Sequence, residues 1–254
     1  MPRLTQNENM QSHQVAGGGN FTFTATRVEK LTAANGYTVV DIVLDRTGST
    51  AGFEQELYGA LVAAIEGCRK SPQAKNLLIR VTEFNSTIPG NVREVHGYKL
   101  LSEIDSVNDY PITPSAGGTP LFDAEFSAVG SMDQYADILY AKEFDVNGYI
   151  IVMTDGANTY SFATEAEIQE RKRIIQQKER LESLVTILVG INASSYRQLL
   201  EAHVRNVGFD RYIEAKDATP STMAKLGGFI SQSISSQAQS RGTGGPSQPV
   251  AATF

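Results

Sequence analysis

Cysteine occurs once in these 254 residues, at Cys68, so no disulfide can close within the chain. Nothing in that usage points to an oxidising compartment. Histidine occurs three times, at His13, His96 and His203, and no two stand at the short spacing of a zinc site. A basic excess is missing too. Lys and Arg number 22 against 28 Asp and Glu, a net charge of −6, which disfavours a nucleic-acid partner. No apolar run approaches the ~20 residues that span a bilayer. Residues 1–9 lack the apolar stretch of a secretory leader. These absences lead to the expectation of a soluble, cytoplasmic protein.

What the chain does have is alternation. After a polar leader over 1–19 that ends in Gly17, Gly18 and Gly19, residues 21–28 alternate in the manner of a short edge strand. The glycine run follows no strand, so it is no dinucleotide fingerprint. Residues 37–44 are β-branched and nearly continuous in their apolarity, as a buried parallel strand should be. A helix is expected over 51–68, with Phe53, Leu57, Leu61, Ala64 and Ile65 on one face. Strands follow at 76–84 and, after the turn Asn85-Ser86-Thr87, near 88–95, the short connection making this pair antiparallel.

A loop over 105–118 contains Pro111, Pro114, Gly117 and Gly118, and a helix then runs from Thr119-Pro120 to about 140. Further strands fall at 149–154, 184–189 and 210–214, with helices at 164–182, 195–206 and 219–235. The last helix should bury Met223, Leu226, Phe229, Ile230 and Ile234, and Gly, Ser, Pro and Gln then dominate a tail expected to be disordered. The basic run Arg171-Lys172-Arg173 reads as a solvated helix face, and Cys68 as a small buried apolar residue.

Strands alternating with helices predict an α/β fold of Rossmann-like, doubly wound type. Its sheet should be mostly parallel with one antiparallel edge strand, and helices should cover both faces. The domain is expected over 20–237, with its core at 35–237, a leader over 1–19 and a tail over 238–254. In such open sheets ligands bind outside the carboxyl ends of the strands. Asp45 and Asp155 both fall at such ends.

Three segments carry the chemistry: Asp45-Arg46-Thr47-Gly48-Ser49, Gly117-Gly118-Thr119-Pro120, and Thr154-Asp155-Gly156. They offer two carboxylates and three hydroxyls, a set suited to a small hard cation held by oxygen. Each piece also has a plain structural reading. Ser49 or Thr50 could cap the following helix, Thr119 could cap its own, and Asp155-Gly156 could be an ordinary turn. Asp123, one turn after Thr119, reads first as a surface carboxylate and second as support for the loop.

Together, in this order and on these elements, the three segments resemble the metal-ion-dependent adhesion site of the von Willebrand factor A (VWA) domains. The resemblance covers about residues 35–237. That family's site uses Asp-x-Ser-x-Ser after the first strand, a distant Thr, and an Asp after the fourth strand. Here Thr47 replaces the first Ser, which keeps a hydroxyl in place. The resemblance implies a Mg²⁺ site, with Mn²⁺ as the alternative, made by Asp45, Thr47, Ser49, Thr119 and Asp155. It also implies a partner protein that offers a Glu or Asp carboxylate. The chain looks most like the stand-alone bacterial or phage members of tellurite-resistance type, so a MoxR-class AAA+ ATPase is an implied partner.

The leading expectation is therefore a binding module rather than an enzyme. Two alternatives stand beside it. A Mg²⁺-dependent phosphoryl-transfer enzyme of haloacid-dehalogenase type would use Asp45 as nucleophile, but the second acid it needs two residues later is here Thr47. A structural subunit would use the metal only to brace its loops.

Overall fold

The computed structural model describes residues 9–15, 21–33, 36–243 and 251–252. Eight strands form one sheet: β1 (Met10–Gln14), β2 (Thr22–Thr26), β3 (Tyr37–Asp45), β4 (Leu77–Phe84), β5 (Val92–Leu100), β6 (Val146–Thr154), β7 (Ser183–Ile191) and β8 (Arg211–Ala215). The helices are α1 (Glu54–Arg69), α2 (Leu121–Tyr140), α3 (Glu165–Lys178), α4 (Arg197–Val207) and α5 (Pro220–Thr243). The strand order is β1-β2-β5-β4-β3-β6-β7-β8, and β4, β3, β6, β7 and β8 run parallel. The expected α/β sheet, mostly parallel and covered on both faces, is what forms.

Period-two alternation along β3 divides the core between the faces. Val39 and Val43 pack under α2, α3 and α4, while Val40, Ile42 and Leu44 pack under α1 and α5. Helices α1 and α5 approach closely because Gly227 has no side chain. A Cβ there would lie 2.7 Å from both the Ala60 carbonyl oxygen and the Ala63 Cβ. Gly227→Leu should therefore force the two helices apart and lower stability by about 1–3 kcal/mol, read as a shift in the urea midpoint.

Several expectations need correcting at the margins. The antiparallel strand β5 is not an edge, since β2 and then β1 extend the sheet beyond it. The strand expected at the edge, now β2, is accordingly covered by β1. That outermost strand, Met10–Gln14, lies inside the segment read as a flexible leader. Its polar sequence gives no periodicity. Backbone pairing to β2 and the stacking of His13 on Phe23, 5.1 Å between ring centres, hold it. The remainder of the leader apart from Asn9 and Val15 lies outside the described residues.

β5 begins four residues later than expected, because residues 85–91 form a tight turn. Asn85 Oδ1 accepts the Thr87 and Ile88 amides, and Gly90 and Asn91 both take positive φ. The tail also begins later than 238. Ala238 and Gln237 are buried, and Gln237 bonds Asn147 and Ser183 below the sheet, which carries α5 on to Thr243. Residues 244–250, 253 and 254 lie outside the described residues, while Ala252 packs against the α1/α5 core.

Two buried ionic clusters were not visible as such in the sequence. Lys172, read as part of a solvated face, is buried and donates to Thr186 Oγ1 at 2.8 Å, to the Gly208 carbonyl and to Asp210. His203 on α4 is clamped between Glu125 Oε2 on α2 and Glu165 Oε1 on α3, both at 2.7 Å, with Phe122 stacked on its ring. Burial works to lower the imidazole pKa, but the two carboxylates outweigh it and hold His203 at about 9. A folded pKa above the unfolded value means stability that is complete below about pH 6.5 and lost as pH rises through about 9. Urea melts between pH 6 and 10 should show a decline of about 3 kcal/mol that is missing from His203→Gln.

Candidate metal site

Asp45 is the last residue of β3 and lies on the α2 side of the sheet, in alternation with Val43. It is buried, and each carboxylate oxygen is engaged. Oδ1 accepts the Thr47 amide at 2.8 Å, and Oδ2 accepts the Thr154 hydroxyl at 2.7 Å. Thr47 Oγ1 and Ser49 Oγ lie 3.0 Å apart, and Ser49 Oγ donates to Asp155 Oδ1 at 2.7 Å. Four of the five expected residues are thus linked, although Ser49 and Asp155 are 106 positions apart in sequence.

Thr119 joins them through the neighbouring loops. Its Oγ1 lies 3.9 Å from the position a Cβ on Gly156 would take, which places it beside the Asp155-Gly156 turn. Thr119 and Thr159 hold each other: the Thr119 amide donates to Thr159 Oγ1, and the Thr159 amide donates to the Thr119 carbonyl, both at 2.8 Å. Ser86 fixes Gly118 in the same reciprocal way, accepting its amide at 2.8 Å and donating its own amide to the Gly118 carbonyl at 3.1 Å. The Gly48 amide donates to the Gly117 carbonyl at 2.9 Å, tying the first segment to the second.

Phe53 is the N-cap of α1 and Pro120 that of α2, and neither helix start receives a side-chain cap. Ser49 and Thr119 are therefore not capping residues. Thr50 is turned away, bonding the Thr47 carbonyl and Ser115. Among the described residues Thr119 Oγ1 makes no hydrogen bond, so it is an uncommitted, nearly buried hydroxyl facing the cluster.

The electrostatics point the same way. Burial pushes the Asp45 carboxyl up to about 6; hydrogen bonds from Thr154 and Thr47 oppose this, and Asp155 adds to it. Asp155 is raised as well, again by burial. The nearest basic side chain in sequence brings no relief, because Arg46 is drawn away to Glu83 at 3.2 Å, where Arg93 also pairs. Two neighbouring carboxylates thus share an all-oxygen cluster with three hydroxyls and, among the described residues, no cationic partner. That donor set fits a small divalent cation, which would supply the missing positive charge. Among the described residues no group of three or more His, Cys, Asp or Glu forms a metal cluster. Cys68 is buried, and its thiol is pushed up to about 12, so it is inert.

Sequence reasoning missed the supporting residues. Thr154, immediately before Asp155, fixes Asp45. Thr159 and Ser86 lock the Thr119 loop. Asp123 is not a surface carboxylate but fully buried. It accepts the Phe162 and Ala163 amides at 2.8–3.1 Å and Asn91 Nδ2 at 2.7 Å, bracing the 156–164 loop from below. Only Thr154 carried a local signal, its position at a strand end. Gly118 lets the Tyr160 ring lie against the loop, since a Cβ there would collide with it. Gly118→Val should displace the exposed Tyr160 ring at a cost under about 1 kcal/mol in urea melts.

Fold and position of the cluster together define an α/β domain of VWA-like architecture. No family model matches the sequence, and no curated protein matches it. Solved structures do. The PilB minor pilin of Streptococcus sanguinis aligns at a TM-score of 0.55 and 14% identity, over 88% of this chain and 66% of that one. The pilus adhesin SpaC of Lactobacillus rhamnosus GG, in its open conformation, aligns at 0.56 and 10%, over 85% of this chain and 31% of that one. The chain spans less than two thirds of either protein, and at these identities the likeness is one of fold.

Proposed function

We propose that this protein is a metal-dependent protein-binding module. Mg²⁺, or Mn²⁺ in its place, would be held by Asp45, Thr47, Ser49, Thr119 and Asp155 and would capture a Glu or Asp side chain of a partner. The observation that carries this reading is the pair of buried, raised carboxylates joined through the Thr47 and Ser49 hydroxyls, with the free Thr119 hydroxyl beside them and no cationic side chain paired with either among the described residues. Neutral hydroxyl ligands leave a bound cation strongly Lewis-acidic, so it favours an anionic outside ligand. The occurrence of the same architecture in a pilus adhesin is in keeping with a binding role. An AAA+ ATPase of MoxR class is the partner we would test first.

The phosphatase alternative is weakened by the same residues. That chemistry needs a second acid two residues after the nucleophile, and Thr47 supplies only a hydroxyl there. Our reading of the site as a binding module gives it no catalytic role.

Calorimetric titration of the full chain with MgCl₂ tests the metal, and retention of partners from lysate in Mg²⁺ against EDTA tests the capture. Wild-type protein should bind one Mg²⁺, and Asp155→Ala should lose at least a hundredfold in affinity while keeping a cooperative melt. Equal Mg²⁺ affinity in the two proteins would overturn the assignment.

A further inference from the structure

A cavity of about 620 Å³ opens beside the candidate metal site, where β2 splays away from β5. The two strands pair only at Ala25 and Tyr98. Below that point the Glu94 side chain enters the gap and takes the Thr24 amide and hydroxyl. Phe21, Phe126 and Phe162 form the walls, and Arg80, Ser127 and Glu94 contribute polar groups.

Those polar groups are already engaged. Glu94 is held by Thr24 and by Arg80 Nε, and the Arg80 charge is matched by Asp41 and Glu94. Asp123, which also lines the cavity, is filled by the Phe162 and Ala163 amides. An acidic ligand would meet carboxylates here and, among the described lining residues, no unpaired cation. What the lining leaves for an occupant is aromatic surface.

The cavity and the metal cluster share their loops. Tyr160 lies against Gly118, next to Thr119, and is 63% exposed; two residues on, Phe162 is 80% exposed at the cavity mouth. Two large exposed aromatics thus line the path between the metal cluster and the cavity. Thr119 lies two residues before α2, and Asp123 and Phe126 lie on its first two turns, so the chain between them reaches at most roughly 10–14 Å at about 3.3 Å per extended and 1.5 Å per helical residue. An extended peptide covers that span in about four residues or fewer.

We propose that this cavity is a second recognition pocket for the partner, seating a large apolar side chain within about four residues of the captured acid, with Tyr160 and Phe162 carrying the chain between. The proposal rests on the metal-dependent reading above. It makes the preferred ligand an extended acidic-apolar segment rather than any exposed carboxylate.

Random-peptide display on the immobilised full chain tests it, with selection in Mg²⁺ and elution by EDTA. The eluted peptides should carry Asp or Glu with Phe, Leu or Met at one fixed spacing. Synthetic versions should bind at least tenfold more weakly when the apolar residue is replaced by Ser. Phe162→Ser, a change at an exposed site, should weaken them about fivefold, and Ala163→Trp, which fills the cavity, at least tenfold. Mg²⁺ affinity should be unchanged in both variants. Peptides that elute with EDTA but show an acid and no apolar preference would overturn the second pocket and leave the metal reading standing. No EDTA-eluted peptide at all would overturn both.

Discussion

Asp45→Asn should melt above the wild type in EDTA and below it in saturating Mg²⁺. In the metal-free protein burial raises the Asp45 carboxyl from its ordinary value to about 6, so the folded state holds its proton more tightly than the unfolded state does. Metal-free stability should then be greatest below about pH 4, fall as pH rises through about 6, and level off above it. At pH 7.5 the ionised carboxylate costs about 3 kcal/mol relative to a neutral group, which Asn removes. Asn can still accept the Thr47 amide and donate to Thr154 Oγ1, so the local bonds survive. Bound Mg²⁺ reverses the sign. A cation at one hundred times its dissociation constant stabilises the wild type by about 2.7 kcal/mol, and Asp45→Asn should forgo nearly all of this. Thermal melts of both proteins at pH 4.5 and 7.5, with and without Mg²⁺, read the inversion. An Asn variant that melts below the wild type in EDTA at pH 7.5 would sink the argument.

Arg80→Leu should be the most damaging single change in the core. The guanidinium is wholly buried on β4. Its Nη1 bonds Asp41 Oδ2 on β3 at 2.8 Å, and its Nε bonds Glu94 on β5 at 2.8 Å. Burial alone would favour the neutral form, but Asp41 and Glu94 outweigh it and drive the pKa upward. Asp41 is fully buried, and its Oδ1 has no hydrogen-bond partner, so the carboxylate depends on Arg80 together with Tyr98 and Ser131 at Oδ2. Removing Arg80 strands that charge, at a cost of about 3–5 kcal/mol. Asp41→Leu combined with Arg80→Leu should recover a large part of the loss, because replacing both partners avoids an unpaired buried ion. A double-mutant cycle in urea measures the coupling. A single-variant cost under about 1 kcal/mol would show that water or a rearranged neighbour takes Arg80's place.

Much of this architecture was legible because buried parallel strands and amphipathic helices leave strong local signatures. β3, β4, β6 and β7 are largely apolar, interrupted by Asp41 in β3 and Arg80 in β4, and the inward faces of α1 and α5 follow helical periodicity. Segments with mixed composition were harder. β1 is polar and held by backbone pairing, and α5 outruns its expected end because Gln237 and Ala238 find partners under the sheet. Asp41 sat unnoticed inside an apolar strand, since only the β3–β4 register sets it opposite Arg80.

The candidate site divides in the same way. Residue types and order along the chain were enough to single out Asp45, Thr47, Ser49, Thr119 and Asp155, because strand ends in such sheets converge on one edge whatever their separation in sequence. Tertiary structure alone decided which of their atoms are committed. It freed Ser49 and Thr119 from capping, turned Arg46 toward Glu83, buried Asp123 as a brace, and opened a cavity next to Phe162. The physical reason is that local sequence sets backbone path and side-chain chemistry. Hydrogen-bond partners, burial and neighbouring charge are supplied by elements as far as 109 residues away, and those decide what a carboxylate or hydroxyl can bind.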